Sequence, residues 1–307
     1  MGCWARNNDA TTTQPSGGWV NEIDDVGGTA VLNVVSQIFP TAGSPTGTAN
    51  LADVGNNQES ETATFVFRPS SDRTATFSVD QAGNVGVGDK VTYNTNVVGY
   101  IASRIDSTHY RLVTATGASA PASPAVSVNS IYRAFNSLNG AVYTSASGDA
   151  SEVLGTAGLV ANNYQLNIAC YADGEDTTSA TVDGWTTSAQ NYIKIYAPVL
   201  TSEVGASQRH TGKWDTQAYR MNVSGTENAI KIYDNYVWLD GIQIKHTHSG
   251  ANTAVIIRLN AHVTDSDLKI SNNLFWADHS GITGAYSFAI DWYNADGNTK
   301  VWNNIFY

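Results

Sequence analysis

The sequence predicts an all-β protein in which a small β module precedes a solenoid of short strands. Three observations support this prediction. Segments of Val, Ile, Leu, Tyr and Trp with period-two alternation recur between residues 228 and 307, without a helical pattern. Gly241, Asn273 and Asn304 lie 32 and 31 residues apart at a similar phase of these segments. Charged residues make up only 14% of the chain, which is typical of a turn-rich β protein.

A repeat of this length favours a solenoid, because one turn of chain cannot bury its apolar face alone. Asn and Gly tolerate the left-handed backbone that a tight corner between two strands needs, and stacked amides can pair along the repeat. A β-sandwich remains the alternative, since its turns recur every ~8–12 residues. The solenoid register predicts seven inward side chains: Ile232, Ile242, Ile244, Ile256, Ile270, Leu274 and Ile290.

The part of the chain before the repeat divides into two segments. Residues 1–60 are Gly-rich and predict an N-terminal arm or docking segment, within which Thr29 to Phe39 fits a helix and a strand equally well. Residues 61–128 contain strand segments separated by Ser-, Gly- and Asp-rich turns, and predict a small β module. We expect this module to be a spacer or docking collar, because it has no chemical cluster, with a binding unit as the alternative.

Residues 129–307 form the predicted solenoid, after a Pro/Ser/Ala-rich linker over residues 118–127. Ile131, Phe135 and Leu138 are at helical spacing, so residues 130–138 predict a capping helix with Ser130 as its N-cap. The sequence stops at Tyr307, inside a strand of the repeat. We therefore expect the solenoid to continue beyond this residue, or another subunit to cover it.

Composition excludes several partners. The net charge of −11 and the scattered Lys and Arg residues argue against nucleic-acid binding. No apolar run approaches the length of a membrane span, and the N-terminus lacks the apolar core of a signal peptide. Cys3 and Cys170 make no disulfide framework, and the strand around Cys170 predicts a buried thiol.

Residues 130–307 contain the segments YQLNIACYADGEDTTSATVDGWTTSAQNYIKIYAP, YVWLDGIQI and ISNNLFW. In these segments the chain resembles right-handed parallel β-helix repeat proteins of tailed phages, prophages and uncultured bacteria. The resemblance implies a structural virion appendage, similar to a tail fibre or tailspike and expected to form homotrimers. Residues 1–128 would attach it to other virion proteins, and the β-helix would contact a host-surface glycan.

The same fold hosts other functions, so two alternatives stay open. One is a polysaccharide lyase or glycosidase; the other is an extracellular adhesin or filament subunit. Polysaccharide cleavage would need paired carboxylates. The candidates are Asp265 with Asp267, Asp278 beside His279, and Asp291 with Asp296, although these sequences are also typical of turns.

Three other polar clusters have ordinary structural interpretations. Arg209, His210, Lys213 and Trp214 fit a sugar or anion site, or a loop folded back on the solenoid by Trp214 and Tyr219. His246 and His248 alternate on a strand without a third zinc ligand. Asp173, Glu175 and Asp176 lack calcium-loop spacing and fit a solvated turn. We therefore predict no catalytic, cofactor-binding or metal-binding residue, and no cofactor.

Overall fold

The computed structural model describes residues 73–121, 128–248, 250–260, 267–279, 286–293 and 297–307 in full. Before residue 73 it describes only the backbone of the strands. The chain forms two compact units, Met1–Ser71 and Asp72–Tyr307. The described residues are mainly in strands, so the all-β prediction is confirmed.

The first unit contains an antiparallel sheet with the strand order β2-β3-β1-β4. Its strands are β1 (Gly2–Asn7), β2 (Val20–Gly27), β3 (Ala30–Ser36) and β4 (Glu61–Ala63). The segment that fitted a helix and a strand equally well is therefore a strand. The pairing of β4 with β1 places Glu61–Ala63, the first residues of the predicted β module, in this sheet.

The second unit begins with an antiparallel sheet of strand order β5-β8-β7-β6-β9. Its strands are β5 (Arg73–Thr76), β6 (Lys90–Tyr93), β7 (Val97–Arg104), β8 (His109–Val113) and β9 (Val128–Tyr132). Alternate side chains such as Val91, Ile101 and Tyr110 face a small core. Residues 122–127, within the predicted linker, lie outside the described residues.

The capping helix predicted over residues 130–138 is wrong. Ser130 lies in β9, which pairs with β6, because Val128 and Ile131 pack against the core of this sheet. The helix α1 (Leu138–Val142) begins later, and the Ser137 side chain is its N-cap, accepting from the Gly140 N–H at 3.0 Å. Two further short helices follow, α2 (Ala150–Leu154) and α3 (Leu159–Asn162).

Residues 166–307 form three parallel sheets, and each strand pairs with the strand three places later in the chain. The first sheet contains β10 (Leu166–Ala169), β13 (Ile193–Tyr196), β16 (Val237–Asp240), β19 (Asp267–Ser271) and β22 (Asn298–Trp302). The second contains β11 (Glu175–Asp176), β14 (Arg220–Gly225), β17 (Gln243–His248), β20 (Leu274–Asp278) and β23 (Ile305–Phe306). The third contains β12 (Ala180–Val182), β15 (Ile230–Ile232), β18 (Ala254–Leu259) and β21 (Ser287–Trp292). Below, a rung means three consecutive strands, one from each sheet.

The larger of the two cores in the second unit lies between these sheets. All seven side chains predicted to face inward are buried, with exposed fractions from 0% to 8%, and six of them belong to this core. The exception is Leu274, because its strand neighbour Phe275 is the one that faces the core and Leu274 lies on the opposite face. The helices α1 and α3 close the core beside the first rung, because Leu138, Val142 and Leu159 are buried in it. Fully burying one such side chain stabilises the fold by about 1.5–3 kcal/mol.

The corner between the first and second sheets explains the sequence period. Gly241, Asn272 and Asn303 all have left-handed φ angles, of 76°, 57° and 53°. They are equivalent positions, because Asp240, Ser271 and Trp302 are register partners immediately before them. Asn273 and Asn304 come one residue later, where their side chains join neighbouring rungs. The predicted alignment of Gly241 with Asn273 is therefore wrong by one residue.

Candidate functional site

A groove on the outer face of the third sheet brings two tyrosines, two cations and a buried amide together. We call it the tyrosine groove, and its volume is about 320 Å³. Its lining residues are Thr226, Glu227, Asn228, Lys231, Tyr233, Thr253, Arg258, Asn260 and Tyr293. Small-ligand sites have a similar size, from about 300 Å³ upward.

The groove forms because the strands of the third sheet pair in parallel register. Lys231 pairs with Arg258, and Arg258 pairs with Asp291, so these residues form one outward column. Two residues later, the backbone N–H of Tyr233, Asn260 and Tyr293 each donates to the preceding rung, at 2.9, 2.7 and 3.2 Å. Tyr233 and Tyr293 are therefore two rungs apart, about 9–10 Å, with Asn260 between them.

Two exposed rings flank a buried amide in the groove. Tyr233 and Tyr293 expose 41% and 60% of their surface, whereas Asn260 is only 5% exposed. Among the described residues, the Asn260 side-chain nitrogen has no hydrogen-bond partner, although an unsatisfied buried donor costs about 1–3 kcal/mol. Asn260 therefore contributes an unsatisfied donor to the lining of the groove.

The charges in the groove are paired. Lys231 Nζ contacts Glu227, and Arg258 Nε donates to Asp291 Oδ2 at 3.2 Å. The Arg258 guanidinium also lies over the Tyr293 ring, 4.7 Å from its centre. Lys231 lowers the pKa of Glu227 by hydrogen bonding, so this carboxylate stays ionised at neutral pH. The groove therefore offers both donors and acceptors without an excess of either charge.

Each of the predicted acidic candidates that the structure describes has a cationic partner. Asp267 contacts Lys269 and Lys300, Asp278 lies 3.9 Å from Lys245, and Asp291 pairs with Arg258. The Lys300 and Lys269 hydrogen bonds outweigh burial and lower the pKa of Asp267. Asp265 and Asp296 lie outside the described residues. The three described candidates therefore serve as ion-pair partners.

The cluster around Arg209 fits the folded-back loop. Arg209 donates to Asp240 Oδ2 at 2.7 Å, and the His210 ring bonds the Asn272 carbonyl at 2.9 Å. Trp214 packs edge-on against Trp276 at 5.5 Å, and Tyr219 is buried. Residues 197–219 are thus tied across the corner between the first two sheets.

The acidic cluster is not the solvated turn that the sequence predicts, because Glu175 and Asp176 form β11 and all three carboxylates accept hydrogen bonds from the protein. Asp173 accepts from Arg133 Nε at 2.5 Å, Glu175 accepts from Arg220 Nε at 3.0 Å, and Asp176 accepts from the Leu138 N–H at 2.7 Å. Cys170 is buried, and this burial raises the pKa of its thiol. Cys3 lies outside the residues whose side chains are described.

Sequence reasoning missed a third histidine beside His246 and His248. The ring centres of His246 and His279 are 5.0 Å apart, and His279 lies 6.1 Å from His248. His248 and His279 are 31 residues apart, which is the corner period, so the register could have revealed this cluster. Within the described ranges, no group of three or more His, Cys, Asp or Glu side chains is arranged to hold a metal ion.

A larger cleft, of about 1030 Å³, lies between the sheet of β5–β9 and the first rung. Its polar groups already contact each other across this seam. Arg133 donates to Asp89 at 2.5 Å and to Asp173, and the Tyr171 hydroxyl donates to the Val87 carbonyl at 2.7 Å. Burial raises the pKa of Asp89, and Arg133 opposes this rise. We interpret these contacts as a docking seam within the unit.

Comparison with known proteins gives no match: neither a family model, nor a curated protein, nor a solved structure matches the chain. No helix in the described part of the chain is long and apolar enough to cross a membrane.

Proposed function

We propose that the three parallel sheets form a right-handed parallel β-helix. Successive strands visit the three sheets in turn, and every fourth strand returns in parallel beside the first. Connections between parallel strands of one sheet are right-handed in about 98% of cases. The stacked left-handed residues at Gly241, Asn272 and Asn303 support a regular repeat.

We further propose that this β-helix binds a neutral polysaccharide at the tyrosine groove. The observation that carries the proposal is the unpartnered Asn260 amide between two exposed tyrosines. Aromatic rings give apolar contact area with a polar tip, and the paired charges offer donors and acceptors to hydroxyl groups. A polyanion is a poorer fit, because each groove cation already has a carboxylate partner and the chain carries a net charge of −11.

Glycan binding fits the role that the sequence resemblance implies, a structural appendage of a virion that contacts the host surface. In this proposal residues 1–128 attach the chain to other virion proteins, and the protein assembles as a homotrimer. The resemblance supports the virion location, with an extracellular adhesin or filament as the alternative. Polysaccharide cleavage by paired carboxylates is less favoured, because Asp267, Asp278 and Asp291 each have a cationic partner.

Binding of neutral polysaccharides tests the proposal. Purified protein is titrated with neutral glucans, mannans and galactans, and with polygalacturonate as the charged comparison. We expect binding to a neutral chain that changes little with salt. Tyr233→Ala and Tyr293→Ala should each raise the Kd roughly 10-fold, or about 1.4 kcal/mol.

Tyr132→Ala is the matched control, since Tyr132 is 69% exposed but lies in β9, outside the groove. Preference for polygalacturonate, or equal affinities of the groove variants and the control, would contradict the proposed site. The virion location is tested separately, by sedimenting particles with the full chain and with a fragment lacking the N-terminal region. Equal recovery of both would contradict N-terminal attachment.

A further inference from the structure

A chain of hydrogen bonds joins a surface serine to two histidines at the junction of the second and third sheets. Ser287 Oγ lies 2.6 Å from His279 Nδ1, and His279 Nε2 lies 3.0 Å from His246 Nδ1. His246 Nε2 in turn lies 2.8 Å from the Glu227 carbonyl oxygen. We call this set the serine–histidine relay.

The carbonyl at one end fixes the direction of every hydrogen bond. A carbonyl only accepts, so His246 Nε2 carries a proton and donates to Glu227. Neutral His246 then accepts at Nδ1 from the His279 Nε2–H. Neutral His279 is consequently left with a lone pair on Nδ1, which accepts from the Ser287 hydroxyl. The serine proton therefore points at a basic nitrogen.

The surroundings keep both histidines neutral. Burial and the neighbouring His279 lower the pKa of His246 to about 4. Burial, followed by the nearby His248, also lowers the pKa of His279, and Asp278 opposes this only in part. Lys245 faces Asp278 at 3.9 Å and weakens that opposing effect further. At neutral pH, His279 is thus an unprotonated base.

We propose that the serine–histidine relay is an acyl-transfer centre that hydrolyses carboxylic esters, with Ser287 as nucleophile and His279 as general base. A nucleophile and a base within hydrogen-bond reach, with the base held by a third group, is the arrangement that activates a serine. His246 is a positioning residue, since it holds the tautomer and orientation of His279. Ser287 is exposed at the start of β21, where a substrate can reach it, whereas His246 is fully buried.

The reaction balances with water as the only co-reactant. Ser287 Oγ bonds to the ester carbonyl carbon while its proton passes to His279 Nδ1. The carbon–oxygen bond to the leaving group breaks, and the alkoxide takes that proton and departs as an alcohol. Water then attacks the acyl-serine through the same base, which releases the carboxylic acid and returns the proton to Ser287. An ester is the substrate class, because an alkoxide leaves more readily than the amine of an amide.

The serine–histidine relay lies next to the tyrosine groove, but its chemistry does not require a ligand in the groove. Ser287 is the register partner of Ala254, which follows Thr253 of the groove. Glu227 also belongs to both, through its carbonyl in the relay and as a lining residue of the groove. An acyl group carried by a bound saccharide is therefore a substrate that lies within reach.

Covalent labelling tests the nucleophile directly, and needs no knowledge of the natural ester. The full chain is incubated with a fluorophosphonate, whose P–F bond breaks as Ser287 Oγ bonds to phosphorus. We expect a single adduct by intact mass, mapped to Ser287, and turnover of p-nitrophenyl acetate. Ser287→Ala should abolish both, while Ser224→Ala, an exposed strand serine of β14, should abolish neither.

The labelling rates of histidine variants distinguish the roles of His279 and His246. His279→Gln should slow labelling by about 10²–10⁴-fold, the usual contribution of a general base. His246→Gln retains a donor and an acceptor and should keep most of the rate, whereas His246→Leu should lose it. In the native protein, the labelling rate should rise with pH to a plateau, with its midpoint below the ordinary histidine value of about 6.5.

Circular dichroism confirms that each variant is folded before its rate is interpreted. Absence of the adduct on the folded native protein overturns the proposal, as does an adduct that persists in Ser287→Ala. Equal rates for His246→Gln and His246→Leu would remove His246 from the relay. These measurements do not involve glycan binding. Absence of glycan binding would therefore not contradict the relay, and absence of labelling would not contradict the groove.

Discussion

Replacing Asn273 by Ala should destabilise the second unit more than replacing any surface Asn or Gln by Ala. Asn273 is fully buried, and its Oδ1 accepts from the Ile242 N–H at 3.0 Å. Its Nδ2 donates to the Leu239 carbonyl at 3.1 Å and to Asn304 Oδ1 at 3.0 Å. One side chain therefore joins three consecutive rungs.

The magnitude follows from these contacts. Alanine leaves the Ile242 N–H buried without its amide partner, which costs about 1–3 kcal/mol, and each lost bond to an acceptor adds about 1 kcal/mol. The sum is roughly 3–5 kcal/mol, which is a large fraction of a typical stability of about 5–15 kcal/mol. For a unit of this size, 3 kcal/mol lowers the Tm by roughly 6–12 °C.

Thermal unfolding followed by circular dichroism measures this loss. Asn167→Ala is the matched control, since Asn167 is an exposed residue of β10 and its replacement should change stability by no more than about 0.5 kcal/mol. A Tm for Asn273→Ala within about 1 °C of the native value would refute the reasoning. So would a loss no larger than that of the control.

Two further predictions concern acid and the N-terminal boundary. The free energy of unfolding should fall by about 1–3 kcal/mol as pH is lowered from 6.5 to 4, because the unfolded state protonates His246 before the folded state does, with its pKa of about 4. Urea titrations across this range check it, and His246→Gln should weaken the dependence; an unchanged slope would contradict the assignment. A fragment 72–307 should melt at a higher temperature than a fragment 129–307, because the shorter one loses β6, the partner of β9, and the Asp89 carboxylate that binds Arg133. Equal melting temperatures would mean that these contacts contribute nothing to the repeat.

The repeat and its buried face could be predicted from the sequence. The residue alignment at the corner could not, because neighbouring residues there are identical. Apolar alternation identified six of the seven tested core residues, because a buried face imposes a strict period of two. In β20 the core residue is Phe275, and the predicted Leu274 is buried on the other face. The corner alignment was wrong by one residue, since Asn occurs twice in succession at 272–273 and again at 303–304. Only the backbone shows that the first Asn of each pair is left-handed and that the second carries the amide ladder.

The prediction of a helix over residues 130–138 was wrong for a different reason. Ile131, Phe135 and Leu138 fit a helical face, but pairing with β6 outweighs that local preference. The candidate site was missed because its members come from separate rungs. Lys231, Arg258 and Asp291 lie in one column only once the register of the third sheet is known.

The loop over residues 197–219 shows that the connection between the first and second sheets can vary in length. Tyr196 pairs with Asp240, and Arg220 pairs with Gln243, so the strands on both sides of the loop stay aligned with the next rung. The next rung makes the same connection with only Gly241 and Ile242. The corner therefore accepts connections of very different length while the stacking beneath it is unchanged. A peptide inserted into this loop should therefore leave the pairing of the two flanking strands with the next rung unchanged.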